Sequence, residues 1–130
     1  MPERDTAASA VVLNEFGEAF FDEGGNYNLL FKYHIKIKIL KKAGLGYADI
    51  EIPLMKDEGK VELLRSVKAS SFNLVNGVVD EIPLKNTNIF SEKLNKRYDV
   101  KKIAIPGVRV GSVIELQYVL ESPFIFNFRN

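Results

Sequence analysis

The amino-acid sequence predicts an all-β protein, built as an antiparallel β-sandwich or a curved sheet, with at most one short helix. The first observation behind this prediction is the stretch FKYHIKIKIL, residues 31–40, which alternates apolar and polar side chains without a break. Such alternation is typical of a strand with one buried face. The second observation is that short alternating runs recur along the chain between turn residues, as in antiparallel β folds.

The N-terminal part of the chain is predicted to form strands separated by glycine-containing turns. The stretch AVVLNEFGEAFF predicts two short strands around a turn that ends in Gly17, and residues 24–26, Gly-Gly-Asn, predict a second turn. A long strand from about residue 27 to residue 41 follows. The segment KKAGLG is expected to reverse the chain, so that the long strand pairs with YADIEIPL as a hairpin.

The middle of the chain contains a specific hairpin signal. Asn76 and Gly77 favour a two-residue type I′ turn, because both central residues of that turn need positive φ. The segment before this turn, VELLRSVKASSFNLV, predicts a weaker strand. Its apolar residues in phase are Val61, Leu63, Val67 and Ala69.

One stretch, NTNIFSEKLNKRYDV, fits a helical pattern, and a short helix or an ordered loop is expected near residues 88–97, with Asn88 as its N-cap. Its apolar residues at helical spacing are Phe90, Leu94 and Tyr98. The stretch VIELQYVLES predicts a further strand. The residues expected to face the core are Ile114, Leu116, Tyr118 and Leu120.

Length and composition exclude several classes of protein. The 130 residues are expected to form a single domain, residues 1–130, and the net charge of +1 gives no overall field that would attract nucleic acid. The absence of cysteine excludes disulfides, cysteine-ligated zinc and a thiol nucleophile, and no cofactor is predicted. No apolar run approaches the roughly 20 residues of a membrane span. The polar start MPERDTAASA has no signal-peptide core, which fits either a cytoplasmic protein or an exported one whose leader has been removed.

Two groups of basic residues raise the question of an anion-binding surface. One lies on the polar side of the long strand, and the other lies in KLNKRYDVKK. The alternative is that both are solvated faces, and the predicted hairpin supports it by placing Asp49 and Glu51 across from the strand lysines. The candidate anion-binding residues are Lys32, Lys36, Lys38, Lys96, Arg97, Lys101 and Lys102.

The residues that carry catalysis in other proteins have no recognisable setting in this sequence. His34 is the single histidine, and it lies on the polar side of a predicted strand. Ser70 and Ser71 lack a nucleophile elbow, and Gly44 and Gly46 lack the third glycine of a dinucleotide-binding fingerprint. The sequence therefore predicts a protein that is not an enzyme, with no catalytic, cofactor-binding or metal-binding residue.

The C-terminal segment SPFIFNFRN places Phe124, Phe126 and Phe128 on one face of an extended chain. Three phenylalanines form a large apolar surface, which in a soluble protein usually meets a partner. One hypothesis is that these residues form an interface, either with a following domain or with a second molecule through an exposed strand edge. The alternative is that they complete the core.

Four segments together resemble a known family: AASAVVLNEFGEAFFDE, KYHIKIKILKKAGLGYADIEIPL, VKASSFNLVNGVVDEIPL and KKIAIPGVRVGSVIELQYVLESP. In order and spacing they are similar to the DUF3857 family, a domain of unknown function found before transglutaminase-like domains in exported or envelope proteins, chiefly of Bacteroidetes. The residues most typical of the family are in the last segment. They are Pro106, Gly107, Gly111, Ser112, Ile114, Glu115 and Tyr118.

The resemblance implies a non-catalytic structural or interaction module. Its partner would be a downstream transglutaminase-like domain of the same polypeptide, which the module packs against or positions. The resemblance also implies a periplasmic, cell-envelope or secreted location, with the leader removed. The alternative is an independent binding module for an envelope glycan or peptide. Neither role implies a reaction carried out by this chain.

Overall fold

The computed structural model describes residues 8–21 and 28–124. These residues form two antiparallel sheets, a larger sheet in the order β1-β2-β9-β5-β6 and a smaller sheet in the order β4-β3-β8-β7. The all-β prediction is confirmed, since the described helical segments are two short 3₁₀ turns, Lys42–Ala48 and Asn86–Asn88. The strands are β1 (Ala10–Phe21), β2 (Leu29–Ile39), β3 (Asp49–Asp57), β4 (Lys60–Val61), β5 (Leu63–Val75), β6 (Val78–Pro83), β7 (Ile89–Lys93), β8 (Tyr98–Ala104) and β9 (Val113–Ser122).

The core lies between the two sheets and is built from β-branched and leucine side chains that alternate along their strands. Ile39 and Ile103 are almost completely buried, and they come from the larger and the smaller sheet respectively. The predicted inward faces of β2 and β9 are confirmed. The buried cluster comprises Ile37, Ile39, Ala48, Ile52, Leu54, Ala69, Ile103, Ile105, Ile114 and Leu116.

The predicted hairpin between the long strand and YADIEIPL is wrong. Strand β2 pairs with β1 and β9, whereas β3 belongs to the other sheet and pairs with β4 and β8. The reason is a contact with a distant part of the chain: the backbone N–H groups of Leu40 and Lys41 donate to the Ser9 carbonyl at 2.9 and 3.1 Å, so β2 ends against the start of β1. The 3₁₀ turn Lys42–Ala48 then carries the chain to the smaller sheet.

Gly17 does not end a turn, because β1 is continuous through it. It lies opposite Tyr33 of β2, and a Cβ at this position would stand 3.3 Å from the Phe31 ring. The glycine therefore makes room for an aromatic side chain of the neighbouring strand. The other predicted turn, at residues 24–26, lies outside the described residues.

The Asn76-Gly77 turn is confirmed. Both residues have positive φ, 53° and 80°, and they connect Val75 of β5 to Val78 of β6, which are paired. This is the combination that a type I′ turn requires. The hairpin tip leaves large aliphatic side chains in solvent, since Leu74, Val78 and Val79 are all more than 60% exposed.

The short helix or ordered loop expected near residues 88–97 is wrong for the first half of this stretch, and Asn88 ends a 3₁₀ turn rather than capping a helix. Residues 89–93 form β7, and the side-chain oxygen of Asn95 accepts hydrogen bonds from the backbone N–H groups of Arg97 and Tyr98 at 2.8 and 2.9 Å. An asparagine that bonds the backbone two residues ahead stabilises a turn rather than a helix. The stretch therefore forms the β7–β8 hairpin.

The loop before β9 is held by a buried polar network. The Ser71 hydroxyl donates to the Pro106 carbonyl at 2.6 Å, and the Asn73 amide donates to the Gly107 carbonyl at 3.1 Å. The Ser112 hydroxyl donates to the side-chain oxygen of Asn73, and both serines are completely buried. The Pro-Gly and Gly-Ser pairs that carry much of the family resemblance therefore hold this loop against β5.

Candidate functional site

The larger sheet has one face on the core and one face turned away from the smaller sheet, which we call the outer face. Directly paired residues of an antiparallel sheet share a face. One row across the outer face consists of directly paired residues on four adjacent strands. They are Phe16 of β1, His34 of β2, Gln117 of β9 and Lys68 of β5. The predicted polar side of the long strand therefore lies on this face.

The lysine ridge of β2 is accompanied by acids, but not by the predicted ones. Asp49 and Glu51 belong to the smaller sheet, where Glu51 is paired with Lys102. On the outer face, Lys36 is paired with Glu115 of β9 and Lys32 with Glu18 of β1. The acids expected from the sequence are therefore the wrong ones, because β2 lies between β1 and β9, and among the described residues neither Lys32 nor Lys36 forms an ion pair.

His34 is bound to a carboxylate on the same face. Its Nε2 lies 2.6 Å from Oε2 of Glu115, and both side chains are about three-quarters buried, with 28% and 25% of their surface exposed. Ser70, paired with Glu115, donates instead to Oε2 of Glu81 at 2.7 Å. The histidine and the serine therefore have separate acidic partners and do not form a nucleophile–base pair.

The second basic group does not join the ridge. Lys96 and Arg97 lie in the turn after β7, on the smaller sheet. Lys101 and Lys102 are neighbours on β8 and point to opposite faces; Lys101 donates to the Ser91 hydroxyl at 2.6 Å. Lys102 lies 2.6 Å from a Glu92 oxygen, and this bond raises the pKa of the lysine. The seven candidate cations therefore do not form one surface.

Two adjoining depressions cross the outer face. The larger, of about 370 Å³, has Phe16, Lys32, His34, Lys68 and Gln117 among its lining residues. The other, of about 300 Å³, shares the last two of these and continues across β5 to β6. The sequence prediction did not include Phe16, Lys68 or Gln117. Alternation could have placed each on the polar side of its strand, but nothing in the sequence shows that these strands are neighbours.

An apolar cleft of about 250 Å³ opens between the sheets beside the 3₁₀ turn Lys42–Ala48. Its lining includes Tyr33, Ile35 and Tyr47. The Tyr33 hydroxyl donates to a Glu15 oxygen at 2.7 Å. Burial first, and then this hydrogen bond, raises the pKa of Tyr33, so the phenol stays neutral across the physiological range. The lining of the cleft is mainly apolar, with Asp49 as its acidic member.

The end of β9 is fixed by a polar clamp. Oε2 of Glu121 accepts a hydrogen bond from the Asn28 amide at 2.6 Å, and Oε1 accepts one from Arg65 at 2.7 Å. The neighbouring Ser122 hydroxyl donates to Glu62 at 2.8 Å. The hydrogen bonds from Asn28 and then Arg65 lower the pKa of Glu121 below the ordinary value of 4.5. The clamp therefore favours the ionised carboxylate in the folded protein.

We expect Glu121→Gln to change how stability depends on pH. A carboxylate whose pKa is lower in the folded protein than in the unfolded chain stabilises the fold above the unfolded pKa. That contribution disappears as the pH falls through the folded pKa. The parent should therefore exceed the variant in free energy of unfolding at pH 7, and the gap should shrink steadily below pH 4.5. Urea unfolding at several pH values measures this, and a gap independent of pH would contradict it.

The three C-terminal phenylalanines are only partly described. Phe124 is buried, with 9% of its surface exposed, and its backbone N–H donates to the Ser122 hydroxyl at 3.2 Å. Phe126 and Phe128 lie outside the described residues. Strand β9 lies between β2 and β5, so an exposed C-terminal edge would have to come from residues after 124.

Within residues 8–21 and 28–124, no three histidine or acidic side chains are grouped so that they could hold a metal ion. In the same residues, no helix has the length and apolar character needed to cross a bilayer.

Comparison with known proteins supports the β fold and does not place the chain in a family. No protein-family model matches the sequence, and no curated protein matches it. A similar solved structure is that of a "putative protease" from Parabacteroides distasonis, with a TM-score of 0.66 and 10% sequence identity. The match covers 88% of this chain and 23% of that protein, so this chain spans about a quarter of its length. At this identity the likeness shows the β fold alone.

Proposed function

We propose that this chain is a non-catalytic interaction module that packs against, and positions, a downstream domain of the same polypeptide. The observation that carries the proposal is a set of exposed apolar side chains on β1 and β5 of the larger sheet and on β4 of the smaller sheet. We call this group the exit patch; it comprises Phe20, Phe21, Val61 and Leu63, which are 40%, 52%, 43% and 49% exposed.

The β1 and β5 members of the exit patch lie at the end of the larger sheet where β9 ends, with Phe20 and Phe21 on opposite faces of β1. Phe21 is paired with Leu29, which is paired with Ser122, and Leu63 is paired with Glu121. The clamp at Glu121 fixes the end of β9 relative to these strands. The end of β9 therefore lies at the same end of the sheet as exposed apolar side chains, and such surfaces usually mark an interface.

Two other observations support a modular, non-catalytic role. The same fold forms about a quarter of a longer protein in the solved structure described above. A transglutaminase-like partner, the domain that the DUF3857 resemblance implies, would supply a cysteine-dependent triad that this cysteine-free chain lacks. The same resemblance implies a periplasmic, cell-envelope or secreted location, which fractionation of the source cells would test.

The test compares the full-length gene product with residues 1–130 by hydrogen exchange. We expect slower exchange at the exit patch in the longer protein, because the following domain covers it. In the longer protein, the double variant Phe20→Ser/Phe21→Ser should make the two domains unfold in separate transitions, because the contact between them is weakened. The matched control is Leu74→Ser/Val79→Ser, at the exposed hairpin tip on the opposite end of the sheet. Equal exchange of the exit patch in both proteins would refute the proposal.

A further inference from the structure

The row formed by Phe16, His34, Gln117 and Lys68 has the chemistry of a ligand-binding surface. The four side chains stand side by side on four adjacent strands, so the row spans three inter-strand spacings, roughly 14 Å. Phe16 is 56% exposed at one end, although an aromatic ring on a sheet face normally packs against a neighbour. The row also lines the larger of the two outer-face depressions.

Charge in this depression is predominantly positive. Lys32 and Lys68 line it, and among the described residues neither forms an ion pair. They stand on β2 and β5, two inter-strand spacings apart and offset by two residues along the strands, so their Cα atoms are roughly 12 Å apart. Glu18, paired with Lys32, and Glu115, bound to His34, are acids on the same face. This mixture suits a ligand with separate carboxylates rather than a continuous polyanion.

Backbone recognition is excluded at this position. Strands β2, β9 and β5 are paired on both sides, so their backbone groups are used in the sheet. A peptide that binds a sheet through its backbone needs a free edge. A ligand on the row must instead be held by side chains: an aromatic platform, an amide that both donates and accepts, and two separate ammonium groups.

We infer that the row binds an oligosaccharide that contains uronic acid residues. The apolar face of a sugar ring packs on Phe16, the hydroxyl groups exchange hydrogen bonds with Gln117, and carboxylates on alternate residues meet Lys32 and Lys68. This site is separate from the exit patch and does not depend on the proposed packing of a downstream domain. It differs from the ridge and the basic run considered from the sequence, because it uses only Lys32 among those residues.

The inference is tested by titrating the isotope-labelled chain with a hyaluronan tetrasaccharide and with trigalacturonate, and following backbone amide resonances. We expect shifts at Phe16, Lys32, Lys68 and Gln117 with at least one of the two sugars. Their methyl esters, which are neutral, should bind at least about tenfold more weakly, as expected from the loss of charge-assisted hydrogen bonds.

Two variants and a control separate this site from general attraction. Lys32→Ala/Lys68→Ala and Phe16→Ala should each weaken binding by about tenfold or more. Lys96→Ala/Arg97→Ala removes the same charge from the β7–β8 turn and should leave binding unchanged. The inference is overturned if neither sugar shifts the row, if the esters bind equally well, or if the control weakens binding as much. Tighter binding of tetraglutamate or of a thymidine oligonucleotide would also overturn it.

Discussion

Ile37→Asp should leave the domain unfolded in water at neutral pH. Ile37 is only 7% exposed and belongs to the buried cluster between the sheets. An unpaired carboxylate there would lose several kcal/mol of solvation, which is comparable to the roughly 5–15 kcal/mol that stabilises a typical domain. Loss of dispersed amide resonances and of the β signal in circular dichroism would show this outcome.

The matched control lies on the opposite side of the same strand. Lys32→Gln, Lys36→Gln and Lys38→Gln remove three charges from the outer face, and each should change the free energy of unfolding by no more than about 0.5 kcal/mol. A folded Ile37→Asp protein, or a triple lysine variant that unfolds, would show that the assignment of the two faces of β2 is wrong.

Gly44→Ala should destabilise the folded protein more than a methyl group added elsewhere in the 3₁₀ turn. A Cβ at Gly44 would lie 2.3 Å from the backbone oxygen of Ser9, and backbone moves aside less readily than a side chain. That oxygen also accepts hydrogen bonds from the N–H groups of Leu40 and Lys41. Because of this overpacking and the disturbed hydrogen bonds, the free energy of unfolding measured by chemical denaturation should fall by about 2–4 kcal/mol.

Gly46→Ala provides the comparison, because nothing lies within 4 Å of a Cβ at that position in the same turn. Its effect should be within about 0.5 kcal/mol of the parent, as for other exposed substitutions. Equal losses for the two alanine variants would mean that the turn tolerates no side chain at all, and that the contact with Ser9 is not responsible.

The parts of the fold predicted correctly depend on local chemistry. Alternation placed Ile37 and Leu116 on the core side of their strands, because a half-buried strand has a period of two. Asn76 and Gly77 identified their hairpin because the turn requires positive φ at both residues. Each of these features is determined within a few residues of sequence.

The errors arise where distant residues decide the structure. Leu63 has the sequence spacing of Val67 and Ala69, but the register of β5 shifts between Leu64 and Ser66, and Leu63 is 49% exposed. A β-bulge of this kind inverts the faces of the residues beyond it. Likewise, the reversal expected after the long strand depends on Ser9, more than thirty positions earlier in the chain.

The candidate site shows the same division. The lysine ridge was visible in the sequence, because the alternation of β2 separates it from the core side. Its acidic partners were misassigned, since pairing between β2 and β9 joins residues about eighty positions apart. Phe16, Gln117 and Lys68 become one row only once the order β1-β2-β9-β5 is known.

The position of β9 has a consequence for how the protein acquires its structure during synthesis. The strand joins β2 to β5 and is the last described strand in chain order, so the larger sheet cannot close until residue 122 has been made. Until then, the β1–β2 and β5–β6 pairs expose their apolar faces as separate pieces on a growing polypeptide. Such late, long-range closure slows folding and leaves strand edges open to association. Nascent chains that stop before β9 should therefore depend on chaperones more than the finished domain does.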